Sequence, residues 1–285
     1  MNREARMSPC PHIEIIEHQT EGREHGSAPH FHDRYEINLI TTKFEFSYSV
    51  EDKSYIIKDT TLSIFNENEI HSLIMPKNTF FEGYNINFRP QFIQGMILPY
   101  PEFTEYFENR PNNFEHCILL NDSQRANLIN LFNKMLYYQK NLDVRNYYLK
   151  TKVILLEILL AVNDIYSVNS ETLVVTNYRY KNHLNKIINY IKNHLSEDLQ
   201  LDSLAGKFYM SKSYINKIFN ESLRMTPHQY IIQCRIMKSR EYLKQGMAVK
   251  QVCGLVGYDK TSNFINAFKK LMGCTPKQYV LEYRK

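Results

Sequence analysis

At 285 residues the chain is too long for one core, and two domains are the default. Its charge is divided unevenly: residues 181–285 hold 18 Lys+Arg against 7 Asp+Glu, a net of +11, and residues 1–180 carry a net of −6, which confines any polyanion partner to the C-terminal third. The five cysteines (Cys10, Cys117, Cys234, Cys253, Cys274) contain no Cys-x-x-Cys pair and exclude a disulfide framework; no apolar run has membrane length and the N-terminus lacks a signal-peptide core, so a cytoplasmic protein without a membrane partner is expected.

In chain order, residues 1–28 read as a polar tail with one short strand, His12 to His18. Short β-type runs follow at Arg34–Thr41, Phe44–Val50, Lys53–Lys58, Thr61–Phe65, Ser72–Met75 and Phe81–Phe88. Tyr84, Ile86 and Phe88 alternate with polar neighbours. Closely spaced strands of this kind predict a small barrel or sandwich rather than a parallel α/β sheet.

The run Pro29-His30-Phe31-His32-Asp33-Arg34-Tyr35-Glu36 resembles the first cupin motif, with His71 where a second motif would place its histidine. On an extended strand His30, His32, Arg34, Glu36 and Asn38 share one face. Imidazoles and a carboxylate on one face, joined by a later histidine, are a donor set for a first-row metal. The resemblance is partial. Thr42-Lys43 replaces the glycine expected after the first motif, and Lys58-Asp59-Thr60 replaces a Pro-Gly turn. Three readings stay open for these residues: a metal site, hydrogen-bonded groups at a barrel mouth, or contacts to an organic effector, which is the favoured one. Arg34 and Tyr35 suit hydroxyls or a carboxylate.

Residues 90–120 are predicted irregular, broken by Pro90, Pro99, Pro101 and Pro111. Two helices are predicted next. Ser123–Gln139 shows Leu128, Leu131, Phe132 and Met135, and Asn146–Asn163 shows Leu149, Val153, Leu156 and Leu160. These stripes pack on the barrel or, for one of them, form a dimer contact. Residues 164–180 read as a polar linker around Leu173-Val174-Val175. Leu184, Ile187, Ile188, Ile191 and Leu195 then mark a further helix.

The last hundred residues contain one pattern twice. Phe219, six residues, then Thr226-Pro227-His228-Gln229-Tyr230 recurs 49 positions later as Phe268, six residues, then Thr275-Pro276-Lys277-Gln278-Tyr279. In each copy threonine can cap a helix, proline suits its first position, and glutamine at the third can reach back to the cap amide. A helix capped by Ser211 precedes the first copy, with Ile215, Ile218 and Phe219 on its inner face. Its counterpart buries Phe264, Ala267, Phe268 and Leu271. Short apolar helices precede both, with Leu201, Leu204, Ala205 and Phe208 in one and Val249, Val252, Cys253 and Val256 in the other. The result is helix, turn, helix, twice. The outward faces are Ser, Asn and Lys, which donate to base edges and phosphates in a major groove; taken singly, each is also an ordinary solvated helix face.

Residues 181–282 therefore resemble the DNA-binding domain of the AraC/XylS regulators, on Leu204-Ala205, Ser211, Tyr214-Ile215, Phe219, Thr226-Pro227, Tyr230, Gly257-Tyr258, Ser262, Phe264, Phe268-Lys269-Lys270, Gly273, Thr275-Pro276 and Tyr279. Tyr209 departs from the family's usual glycine in the first turn, and Cys253 from its usual alanine. The resemblance implies an α+β multidomain chain: a cupin-like β-barrel over residues 1–120, a helical packing or dimerisation region over 121–166, a linker over 167–180, and an all-α tandem helix-turn-helix domain over 181–285 with a long helix at 227–244. It implies a transcription regulator, an activator in the favoured reading, that is not an enzyme. Its partners would be double-stranded DNA, RNA polymerase, a small effector such as a carbohydrate, and a second copy of the chain.

Base-reading positions of the family map onto Ser213, Asn216, Lys217, Thr261, Ser262 and Asn266, and phosphate partners onto Lys212, Lys260 and Lys269. His30, His32, Arg34, Tyr35, Glu36 and His71 are the expected effector contacts. No cofactor is expected; His30, His32, Glu36 and His71 are the set that would hold a metal. The alternatives are a metal-dependent cupin enzyme fused to a DNA-binding module and a ligand-independent repressor.

Overall fold

The computed structural model describes residues 13–20, 27, 29–51, 53–67, 69–76, 79–97, 101–108, 110, 114–168 and 181–283. The expected tail, Cys10, Pro99, Pro111, Leu173-Val174-Val175 and most of the 167–180 linker lie outside the described residues. The chain divides into two compact units, Met1–Thr176 and Asn177–Lys285.

The first unit is built on an antiparallel sheet of six strands: β1 (Ile13–Thr20), β2 (Tyr35–Val50), β3 (Lys53–Phe65), β4 (His71–Ile74), β5 (Phe81–Phe88) and β6 (Cys117–Leu119), in the order β1-β5-β2-β3-β6 with β4 on β2. The four runs expected between Arg34 and Phe65 are two long strands. Thr42-Lys43 and Lys58-Asp59-Thr60 look like turns, but the ladder continues through Thr42 opposite Asp59, with only a register shift between Thr42 and Phe46. Asp59 absorbs the irregularity at φ 48°. The bulge bends the hairpin, as bulges do. The first half of β2 therefore pairs with β5, and the second half pairs with β4.

Strand alternation then gives β2 two buried faces. Ile37 and Leu39, with Ile15, Leu62, Ile64, Ile86 and Phe88, pack on α3 (Asp122–Lys140) and α4 (Tyr147–Ser167). Ile40, Phe46 and Tyr48 face the other way, into a second core with Tyr55, Ile57, Phe65, Phe81 and Cys117. Each fully buried side chain of this size contributes about 1.5–3 kcal/mol before chain entropy is subtracted. The face that carries Glu36 and Asn38 belongs to this second, folded-over layer.

Residues 90–120 are more regular than their prolines suggested: α1 (Gln91–Ile97), a 3₁₀ turn (Pro101–Thr104), α2 (Glu105–Glu108) and β6 all fall there. The prediction for α3 was short by a residue at each end, because Asn121 is its cap and forms a reciprocal box with Gln124. The stripe chosen for α4 is corrected. Leu149, Val153 and Leu160 are 53, 42 and 50% exposed, and Leu156 is partly buried. The buried face is Ile154, Leu155, Ile158, Leu159, Val162 and Ile165. A helix this apolar carries two stripes, and spacing alone did not say which was inward.

The second unit is all helix: α5 (Lys181–Asn193), α6 (Leu201–Phe208), α7 (Lys212–Leu223), α8 (Pro227–Lys244), α9 (Val249–Leu255), α10 (Thr261–Met272) and α11 (Pro276–Tyr283). The long α8 is the spine and touches α5, α7, α9, α10 and α11. Thr226 and Gln229 form the expected box at its start, and Thr275 and Gln278 repeat the bonds at α11. Two details differ. Leu195 lies past the end of α5, and Leu271 is 36% exposed, since α10 is anchored by Phe264 and Phe268 alone. No described helix is long and apolar enough to cross a membrane.

Candidate effector site and nucleic-acid interface

Four of the expected effector residues converge. His30, His32, Glu36 and His71 each offer a ligand atom, all within 4.8 Å of one another. Simple strand alternation is not the cause, because β2 begins only at Tyr35. His30 is instead clamped to His71 by an isolated antiparallel bridge, with backbone bonds of 3.1 and 3.0 Å in the two directions. Between that bridge and β2 the chain bends at residues 33–34, and His32 reaches the same place. Ring centroids of His30, His32 and His71 stand 4.6, 5.2 and 6.0 Å apart in pairs.

Glu36 is buried at the centre of this group. Its Oε1 accepts from Asn38 and from Asn85, both at 2.6 Å. Its Oε2 faces His32 Nε2, in hydrogen-bond contact, and His71 Nε2 at 3.2 Å. Burial pushes the Glu36 carboxyl up, but the charge of His71 and the hydrogen bond of His32 outweigh it and hold the group ionised, well below the usual range. Burial pulls His71 down, and the Glu36 carboxylate more than reverses that.

The other two expected contacts stand apart. Tyr35 points to the opposite face of β2, donates to Glu108 at 2.7 Å and stacks on Phe107 at 4.7 Å. Its phenol is pushed far above its ordinary value by burial and by Glu108. What Arg34 gives the cluster is its carbonyl, 2.9 Å from His32 Nδ1.

Sequence reading missed Asn85 and Asn87. They line the same interior opposite Asn38 and Glu36, and Asn85 also donates to Asn38 at 2.7 Å. The signal was present: if Tyr84, Ile86 and Phe88 alternate on one face, Asn85 and Asn87 must occupy the other. A second polar network, Glu69 with Arg110 and His116, and His116 with Tyr55 at 2.9 Å, continues the interior beyond Phe65, which stacks on His71 at 4.3 Å.

In the helical unit, Ser211 Oγ accepts from Tyr214 N at 3.1 Å and starts α7. Ile215, Ile218 and Phe219 point inward, leaving Lys212, Ser213 and Lys217 exposed and Asn216 half-buried. At α10, Lys260, Ser262, Asn266 and Lys269 are exposed and Thr261 is half-buried. Neither first-module lysine stands by itself: Lys212 meets Asp202 at 2.7 Å and Lys217 meets Glu221 at 3.9 Å. Both pairs are exposed and worth little, so a phosphate can displace the carboxylates. The turns are matched as well, since Tyr209 and Gly257 both adopt left-handed backbone, φ 54° and 78°.

The two halves match two known domains. Residues 12–141 match the AraC-like ligand binding domain, and residues 204–281 match a helix-turn-helix domain. The uncharacterized HTH-type transcriptional regulator YdeC of Bacillus subtilis is 24% identical over 253 residues, 88% of this chain and 84% of that protein. YtdP of the same organism, another uncharacterized HTH-type regulator, is 31% identical over 102 residues, 35% of this chain but 13% of its own length. The probable transcriptional regulator LumQ of Photobacterium leiognathi is 29% identical over 94 residues; the chain spans 38% of its length. Among solved structures, ToxT from Vibrio cholerae is 16% identical, covering 95% of this chain and 99% of that one at a TM-score of 0.39. The chain thus joins an AraC-like ligand binding domain to a helix-turn-helix domain.

Proposed function

We propose that the chain is a sequence-specific, DNA-binding transcription regulator, an activator, controlled by a small molecule bound in the folded-over layer of its N-terminal unit. The observation that carries this is the twinned surface of α7 and α10. Two helices of equal length, each burying the phenylalanine of the repeated pattern, Phe219 or Phe268, and each turning Ser, Asn and Lys outward, are held on one spine, α8. In this reading Ser213, Asn216, Lys217, Thr261, Ser262 and Asn266 read bases, while Lys212, Lys260 and Lys269 hold phosphates. Asn216 pairs with adenine and Lys217 with guanine. RNA polymerase is the downstream partner. The interior row of Glu36, Asn38, Asn85 and Asn87 supports a hydroxyl-bearing effector, a carbohydrate among the candidates. The exposed Leu149, Val153 and Leu160 of α4 support pairing with a second copy.

The test is hydroxyl-radical footprinting of the full chain on DNA fragments that it retains. Two protected patches about one helical turn apart are expected. Protection without that spacing contradicts the twin-reader arrangement. A second reading, a metal-dependent enzyme joined to a DNA-binding domain, draws on the three imidazoles around Glu36; turnover of a substrate by purified protein would establish it.

A further inference from the structure

The histidine cluster has an electrostatic feature that hydrogen bonds within the protein do not resolve. Nδ1 of His32 lies 2.9 Å from the carbonyl of Arg34, and Nδ1 of His71 lies 3.0 Å from the carbonyl of Glu69. A carbonyl only accepts, so each ring carries its proton on Nδ1, and in a neutral ring Nε2 then holds a lone pair. Both Nε2 atoms face the same carboxylate oxygen, Oε2 of Glu36. The other oxygen is already occupied by the amides of Asn38 and Asn85. His71 Nε2 is buried and, though 3.2 Å from Oε2, is not aligned for a hydrogen bond. Asn87 Oδ1, on the residue opposite Glu36 in the ladder, is also buried without a partner. The lone pairs of His32, His71 and Glu36 thus converge within a group whose ligand atoms lie within 4.8 Å of one another, and something positive must sit among them.

Two protons could fill that role. They would leave two imidazolium rings 5.2 Å apart sharing one carboxylate, with the His30 ring 4.6 Å from His71. One divalent ion answers all four groups at once. The donor set, three imidazole nitrogens and one carboxylate oxygen, is that of zinc and the neighbouring first-row ions. The carbonyls on Nδ1 and the amides on Oε1 are the outer bonds that orient such ligands. Donor atoms around an ion with bonds of about 2.1 Å stand roughly 3–4 Å apart, so the cluster needs only slight tightening. His30 and His32 reach the surface while Glu36 and His71 do not, which leaves the open side of the ion toward solvent.

We propose that His30, His32, Glu36 and His71 form a binding site for one divalent first-row transition metal ion, with an open position on the solvent side that accepts a small oxygen-donor ligand. The site goes beyond the DNA-reading function and does not depend on it. It makes the ion either the signal of the N-terminal unit or the anchor for that signal.

The test uses the full chain, stripped with chelator and titrated with Co(II), followed by ligand-field absorption and by metal analysis after gel filtration. One equivalent with the absorption of a low-coordinate nitrogen and oxygen site is expected. His30→Ala, His71→Ala and Glu36→Gln should each weaken binding at least tenfold. His30 is bonded to the fold through its backbone, so His30→Ala should keep the stripped protein's melting temperature and decides the matter should His71→Ala fail to fold. An absence of Co(II) binding overturns the proposal. So does one equivalent held as tightly by His30→Ala and Glu36→Gln, which would locate the ion elsewhere. Footprinting of the same samples keeps the two readings apart, because loss of the metal site leaves the DNA contacts of stripped protein to be judged on their own.

Discussion

Phe219 meets Tyr230 edge-to-face at 5.7 Å and 72°, and 49 residues later Phe268 meets Tyr279 in the same way at 5.6 Å and 71°. The first and last residues of the repeated pattern are therefore each other's packing partners. Each pair locks α7 or α10 to the capped helix that follows it. Such a contact adds about 0.5–1.5 kcal/mol to the burial of two large rings. Phe219→Ala should cost about 3–5 kcal/mol, because the cavity lies at a fully buried position. Denaturant unfolding checks this, and a loss below about 1 kcal/mol would mean that the module repacks without it.

The matched turns predict opposite responses. Tyr209 is 96% exposed and held at φ 54°, so Tyr209→Gly should be neutral or stabilising by up to about 1 kcal/mol. At Gly257, φ is 78° and an added Cβ would stand 2.3 Å from the Leu195 carbonyl oxygen and 2.8 Å from Arg235. Gly257→Ala should therefore destabilise by about 2 kcal/mol or more. Melting temperatures of the two variants should move in opposite directions or, at the least, differ clearly.

The caps predict a smaller effect. Thr226→Ala removes the acceptor for Gln229 N at 3.2 Å, and Thr275→Ala does the same for Gln278 N at 3.3 Å. Each should lower stability by about 1 kcal/mol, and because the sites are far apart in sequence and share no bond, the double variant should show the sum.

Cysteine chemistry gives a site-resolved check. Burial pushes the Cys117 thiol up to about 12, opposed only in part by the Ser63 hydroxyl that donates to its sulfur at 3.3 Å. The proton is thus retained in the folded protein throughout the neutral range, and the thiolate needed for alkylation is scarce. Mass mapping after iodoacetamide should find Cys117 unmodified in native protein and modified once urea unfolds it, whereas the half-buried Cys274 should react without denaturant.

Much of this was legible from residues alone, and the failures have physical causes. The start of α8 follows from Thr226, Pro227 and Gln229, because capping is local chemistry. The convergence of His30, His32, Glu36 and His71 was also legible in kind, but its cause was misread: a bend and a backbone bridge, not one extended strand, assemble it. Tyr35 could have been set aside on parity, being adjacent to Glu36. The merging of four strands into two was not legible, since Thr42-Lys43 and Asp59 carry the composition of turns but serve as a bulge. The inward face of α4 was hidden because both of its stripes are apolar and only the sheet selects between them.

Joint reading of DNA by α7 and α10, as proposed, is checked by selecting bound duplexes from a random pool with the full chain at two salt concentrations. Winners should share two short boxes about one helical turn apart, with affinity falling steeply as salt rises. Lys217→Ala should relax base choice within one box by about 1–3 kcal/mol, and Asn266→Ala should do so within the other. A single box, or no enrichment at either salt concentration, would contradict joint reading.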